Sequence, residues 1–79
     1  MEVRYFAGAA EAAGVDSLEI DAAGLTADEV VAQLADGNER LAKVLHVSAL
    51  LADGARISNR DDDLSGVASL DVLPPFAGG

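Results

Sequence analysis

Leu25-Thr26-Ala27-Asp28-Glu29-Val30-Val31-Ala32-Gln33-Leu34-Ala35-Asp36-Gly37 is the stretch on which the reading of this chain turns. Thr26 and Glu29 have the spacing of a capping box, in which each side chain bonds the other's backbone N–H. Leu25 before the cap and Val30 inside the helix suit a hydrophobic staple. Ala27, Val30, Val31 and Leu34 recur at i, i+3, i+4 and i+7, so one helical face is apolar. Gly37 suits the left-handed residue that ends a helix. The pattern predicts a helix over 27–36 with one buried side.

Upstream, Glu2-Val3-Arg4-Tyr5-Phe6-Ala7 alternates with period two, the mark of a half-buried strand. Val3, Tyr5 and Ala7 share one face; Glu2, Arg4 and Phe6 share the other. Gly8 is expected to end this strand. Residues 9–13 suit a single helical turn capped by Gly14, and residues 15–21 suit a second strand with Leu18 and Ile20 on one face. Downstream, Asn38 suits the cap of a second, shorter helix carrying Leu41, Val44 and Leu45. Residues 47–52 read as a third strand, and Asp53-Gly54 suits a type I′ hairpin turn into a short return strand over 55–57. Residues 58–69 are polar, with Leu64 and Val67 as anchors. Residues 69–73 form the last strand, stopped by Pro74-Pro75, which cannot donate ladder hydrogen bonds.

Two strands, a helix, then further strands make an α+β pattern, with one main helix packed on one face of a mixed sheet of about five strands. The order resembles that of the ubiquitin-like β-grasp fold. The expected division is a domain over 1–75 and a flexible tail over 76–79 ending in Gly-Gly.

The chain has 79 residues, room for one domain with a thin core rather than a deep catalytic pocket. It has no cysteine, which excludes disulfides, thiolate metal sites and a cysteine nucleophile. Fourteen acidic residues against five basic ones give a formal charge of −9. Phosphate backbones and anionic membrane surfaces are repelled, so neither nucleic acid nor a membrane is an expected partner. An acidic surface suits a protein with a basic docking face, since complementary fields speed encounter; it also serves solubility alone. No signal-peptide pattern opens the sequence, and the apolar runs fall far short of the roughly 20 residues that span a bilayer. The expected location is the cytoplasm.

Catalytic constellations are sparse. His46 has no nearby partner in a triad or metal motif, and such residues are mostly structural or solvent-facing. Asp61-Asp62-Asp63 lacks the alternating ligands, glycine and distal glutamate of a calcium loop, and reads as a solvated acidic turn. Gly8 and Gly14 do not make a phosphate loop.

What remains is the ending, Leu73-Pro74-Pro75-Phe76-Ala77-Gly78-Gly79. Glycines lack side chains, so such an end threads a narrow channel and adopts conformations closed to other residues. The paired prolines stiffen the segment before it and lower the entropy lost on insertion. A frayed terminus with two glycines by chance is the bland alternative. Phe6, out of phase with Val3 and Tyr5, should point away from the core as a docking contact, or pack in a small cluster under a loop. Phe76 is a second candidate anchor.

The run from Asp71 to Gly79 resembles the ending of the molybdopterin synthase small subunit, the MoaD family, within the MoaD/ThiS ubiquitin-like sulfur carriers. The start, Val3-Arg4-Tyr5-Phe6-Ala7 followed by an alanine-rich turn to Gly14, is similar to that family too. The resemblance implies a non-catalytic sulfur-carrier subunit with no stably bound cofactor. An E1-like, MoeB-like enzyme uses ATP to adenylate the Gly79 carboxylate, with Gly78 aiding threading. A sulfur donor protein then converts it to a thiocarboxylate, and the tail inserts into a MoaE-like large subunit and gives sulfur to cyclic pyranopterin monophosphate. Phe6, Pro74, Pro75, Phe76 and Ala77 are the candidate partner contacts. A carrier for thiazole, cysteine or tRNA thiolation, a ubiquitin-like modifier joined to lysines, and a plain interaction domain remain as alternatives.

Overall fold

The first and last strands lie side by side. In the computed structural model, which describes residues 1–75, β1 (Glu2–Tyr5) pairs in parallel with β5 (Ser69–Leu73) at the centre of the sheet. β2 (Ser17–Glu19) joins β1 antiparallel, and β3 (Ala49–Ala52) joins β5 antiparallel, with β4 (Ala55–Arg56) on its outer edge. The five-stranded order is β2-β1-β5-β3-β4. Three helices complete the fold: α1 (Gly8–Ala13), α2 (Ala27–Ala35) and α3 (Glu39–Val47).

Alternation decides which face of the sheet is covered. Val3 and Tyr5 of β1, Leu50 of β3, and Leu70 and Val72 of β5 are buried, and they join Ala9, Val30, Leu41, Leu45 and Leu64 in one core. Leu45 and Leu64 are among the largest side chains with no appreciable exposure, so truncating either to alanine leaves a cavity costing about 2–5 kcal/mol.

The expected capping box is present: Thr26 Oγ1 accepts from the Glu29 N–H at 3.2 Å and Glu29 Oε1 accepts from the Thr26 N–H at 3.0 Å. The polar segment after β4 finishes the cap. The Ala27 and Asp28 N–H groups donate to the carbonyls of Asp62 and Arg60, both at 2.9 Å. The first three N–H groups of α2 are thus satisfied, which closes this helix end to any ligand. Buried Leu64 anchors the segment, and its N–H donates to the Leu25 carbonyl. Asp53 (φ 48°) and Gly54 (φ 85°) make the left-handed hairpin turn. The Asp53 carboxylate also accepts from the N–H groups of Ala68 and Ser69, tying the hairpin to the start of β5.

Several boundaries differ from the sequence expectation, the return strand β4 among them, which stops at Arg56. β1 stops at Tyr5, because Ala7 (φ 49°, ψ −124°) turns the chain into α1, which already begins at Gly8; Ala7 is therefore exposed and not on the Val3 face. β2 is only three residues long, and Val15 lies outside it, exposed. α3 runs through Val47 and is as long as α2, nine residues each, where a shorter second helix was expected. Asn38 explains α3's start: its side-chain oxygen accepts from the Leu41 N–H while its amide donates to the Ala12 carbonyl at the end of α1. Ser48 marks α3's end, its hydroxyl donating to the Val44 carbonyl at 2.6 Å. Val47 closes the helix instead of opening a strand, and is 57 % exposed.

Candidate functional site

The residues that alternate with the core make the uncovered face of the sheet. Strand register sorts them into rows. At one end Glu2 stands opposite Glu19 on β2 and Ser69 on β5. In the middle row Arg4 stands between Ser17 and Asp71, Asp71 stands next to Leu51, and Leu51 next to Arg56. At the other end Leu73 is opposite Ala49. Phe6 follows Tyr5, which is registered on Val72, and its N–H donates to the Val72 carbonyl; it therefore comes level with Leu73.

The middle row holds the strongest polar contact on this face. Arg4 Nε donates to Asp71 Oδ1 at 2.6 Å and Nη2 donates to Oδ2 at 2.8 Å. The two-pronged geometry holds the guanidinium flat against the strands and uses its charge internally. Its hydrogen bonds to Asp71, with the carboxylate's charge, raise the Arg4 pKa from an already high value, so the guanidinium stays charged.

Phe6 is 40 % exposed, as its phase predicts, and the cluster under a loop is not what it forms. It lines an open groove of ≈ 510 Å³ together with Glu2, Arg4, Ala7, Asp16 and Ser17. Its backbone is held at both ends: the N–H in the sheet, and the carbonyl accepting from the Ala9 N–H as α1 begins. An exposed aromatic on a fixed backbone loses little freedom when it docks. Partly exposed Leu73 and Pro74 continue from this end of the face, followed by exposed Pro75. Phe6, Pro74 and Pro75 thus lie at the same end of the sheet. The remaining candidates, Phe76, Ala77, Gly78 and Gly79, lie outside the described residues.

The other singled-out residues stay separate from this face. His46 is exposed in the last turn of α3. Asp63 bonds its own loop, accepting from the Ser65 hydroxyl at 2.6 Å and N–H at 2.9 Å, and this holds its carboxyl below the ordinary 3.8. Among the described residues no three His, Cys, Asp or Glu side chains converge on a metal position. None of the described helices is long and apolar enough to cross a membrane. The Arg4–Asp71 pair escaped sequence reasoning, although both residues lie in phase on strands that were recognised; only their register was missing.

Residues 3–79 match the family model of the ThiS family. The fold is that of several solved β-grasp proteins. SAMP1, small archaeal modifier protein 1, from Haloferax volcanii superposes with a TM-score of 0.75 at 22% identity, covering 100% of this chain and 98% of that one. The "Putative molybdopterin converting factor, subunit 1" of Pyrococcus furiosus superposes with a TM-score of 0.80 at 22% identity, covering 94% of each chain. The Haloferax volcanii HVO 2177 protein gives 0.72 at 25% identity, covering 99% of this chain and 84% of that one. No curated protein matches the sequence.

Proposed function

From the premise that the chain belongs to the ThiS family, we propose that it is the sulfur-carrier small subunit of a molybdopterin synthase, and that Gly79 carries the sulfur. The observation that carries this reading is the ending itself, Leu73-Pro74-Pro75-Phe76-Ala77-Gly78-Gly79, issuing from a central strand beside exposed Phe6. The likeness to the Pyrococcus protein, whose name describes a molybdopterin converting factor subunit, supports the same reading.

A carboxylate is a poor acyl donor until its oxygen becomes part of a leaving group. On this reading the activation falls to a partner. An E1-like adenylating enzyme, MoeB-like, couples ATP to the Gly79 carboxylate and releases pyrophosphate. A sulfur donor protein displaces AMP and leaves a thiocarboxylate. The tail then enters a MoaE-like large subunit and gives its sulfur to cyclic pyranopterin monophosphate. The chain's own part is to bind and to orient. Phe6 and Leu73 give the partner an apolar anchor, Glu2 and Glu19 favour a basic patch at the far end, and Pro74-Pro75 direct the tail. No cofactor stays on this chain, and its place of work is the cytoplasm.

A second reading, a protein modifier joined through Gly79 to lysines, is favoured by the likeness to SAMP1. Reconstitution separates the two. The thiocarboxylated protein with a large synthase subunit and pyranopterin substrate yields molybdopterin on the first reading. A covalent Gly79–lysine adduct recovered from cells, with no molybdopterin formed in vitro, supports the second.

A further inference from the structure

We propose that the free edge of β2 is a docking site for an extended, basic segment of another protein, which joins the sheet as a sixth strand. β2 stands at one end of the five-stranded order, with β1 between it and β5. The site is therefore separate from any role of Gly79.

The backbone of β2 is open to such a partner. In an antiparallel ladder, pairs that exchange hydrogen bonds alternate with pairs whose N–H and C=O groups point away from each other. Met1 and Ile20 exchange two bonds, at 2.9 and 3.0 Å, and the Tyr5 N–H donates to the Asp16 carbonyl at 2.8 Å. Glu2 is registered on Glu19 and Arg4 on Ser17, so these are the alternate pairs. On the β1 side their groups turn to β5: the Glu2 N–H donates to the Ala68 carbonyl and the Phe6 N–H to the Val72 carbonyl. On the β2 side the N–H and C=O groups of Ser17 and Glu19 face outward, and no described residue bonds them. Such an edge is a template for another strand.

Charge states which strand it takes. Asp16, Glu19 and Asp21 are exposed along this edge, and the sequence from Tyr5 to Glu39 holds no lysine, arginine or histidine. Ser17 and Glu19 are on the uncovered face, while Leu18 is partly buried against the core. An added strand thus places basic residues beside Ser17 and Glu19 and an apolar one beside Leu18. Small Ser17 lines the open groove of ≈ 510 Å³ with Glu2, Phe6 and Asp16. Arg4 lines it too, but its guanidinium is bonded to Asp71 on the β5 side. A long cationic side chain beside Ser17 enters this groove, with an aromatic ring for its stem and carboxylates for its head.

The same carboxylates disfavour a second copy, whose β2 would bring like charges together. The opposite edge of the sheet, β4, is two residues long and carries the positive Arg56. The two edges therefore select different partners.

The test titrates the isotope-labelled full chain by NMR with a capped five-residue peptide of alternating valine and arginine, valine at both ends. The Ser17 and Glu19 amide resonances should move most, and their hydrogen exchange, fast in the free protein, should slow by roughly tenfold when bound. Added salt should weaken binding. Ser17→Pro removes one outward donor at the first residue of an edge strand, where proline fits, and should bind roughly fivefold more weakly. Glu19→Lys reverses a side chain that is 77 % exposed, leaves the backbone donors in place, and should also bind roughly fivefold more weakly. A peptide of the same residues with its arginines adjacent should bind more weakly than the alternating one. Equal binding of the two peptides shows diffuse attraction and overturns the proposal. So do unchanged binding by both variants, largest shifts at Asp61–Asp63 or β4, and no binding at millimolar peptide. Shifts at Ser17 and Glu19 that depend on protein concentration, without peptide, assign the edge to a second copy and overturn the basic partner.

Discussion

Arg4 and Asp71, 67 positions apart in sequence, meet through two parallel hydrogen bonds on the uncovered face of the sheet. They sit in the row between the Glu2–Glu19 pair and the apolar end marked by Leu73. The Arg4 side chain is 47 % exposed and that of Asp71 13 %. Solvent screens such a pair, so its worth to the fold is small. Asp71→Ala should therefore lower the melting temperature only slightly. It frees a guanidinium in the middle of the face proposed for docking, and on that proposal binding to an activating enzyme with a basic surface should weaken more than stability does. A double-mutant cycle with Arg4→Ala measures the coupling; a loss of several kcal/mol in folding would show that the pair holds the central strands together.

On the proposed function, Phe6→Ala should weaken binding to a large subunit or an activating enzyme by at least tenfold, about 1.4 kcal/mol, the scale of an aromatic anchor. The melting temperature should change little, because this side chain lies outside the core cluster. Calorimetric titration paired with a thermal melt checks both. A much lower melting point with unchanged binding would place Phe6 in the core.

Ala7 has φ 49° and ψ −124°, a conformation that residues with a Cβ rarely adopt. Relief of such strain is worth about 1–3 kcal/mol, offset by about 0.4–1 kcal/mol for the looser unfolded chain. Ala7→Gly should stabilise by about 1 kcal/mol and raise the melting temperature by about 4–8 °C. A destabilised variant would show that the turn needs its methyl group more than it suffers from it.

Asp63 titrates below the ordinary 3.8 because the Ser65 hydroxyl and N–H bond its charged form. A carboxyl depressed in the folded state lends stability above its unfolded value and loses it as pH falls through the folded one. Ser65→Ala removes the largest cause, so the Asp63 midpoint followed by NMR should rise toward 3.8. The two proteins should differ most in stability above about pH 4 and converge in stronger acid. An unmoved midpoint would assign the shift to the backbone N–H alone.

Much of the fold was legible because its signals are local. The Thr26–Glu29 box, the left-handed residue at Gly37, the Asp53-Gly54 turn and the Pro74-Pro75 stop each depend on neighbours within a few residues. The misreadings share a different origin. Val47 is β-branched and precedes a strand, but Ser48 bonds back to Val44 and draws it into the helix. β1 ends at Tyr5 because Ala7, two residues on, takes a glycine-like conformation, which sequence gives no reason to expect. The Arg4–Asp71 contact depends on register between the chain's two ends, and so does the meeting of Phe6 with Leu73. The candidate site was legible in its members but not in its arrangement. The role proposed for Gly79 follows from no geometry of the folded domain and rests on the ending's resemblance to a family.

The most direct test of that role is the intact mass of the protein purified from its source, compared with a form lacking Gly78-Gly79. The account predicts a species heavier by about 16 Da, oxygen replaced by sulfur at the terminal carboxylate, that is absent from the shortened form. Full function of the shortened form, with an unmodified mass for the intact one, would contradict it.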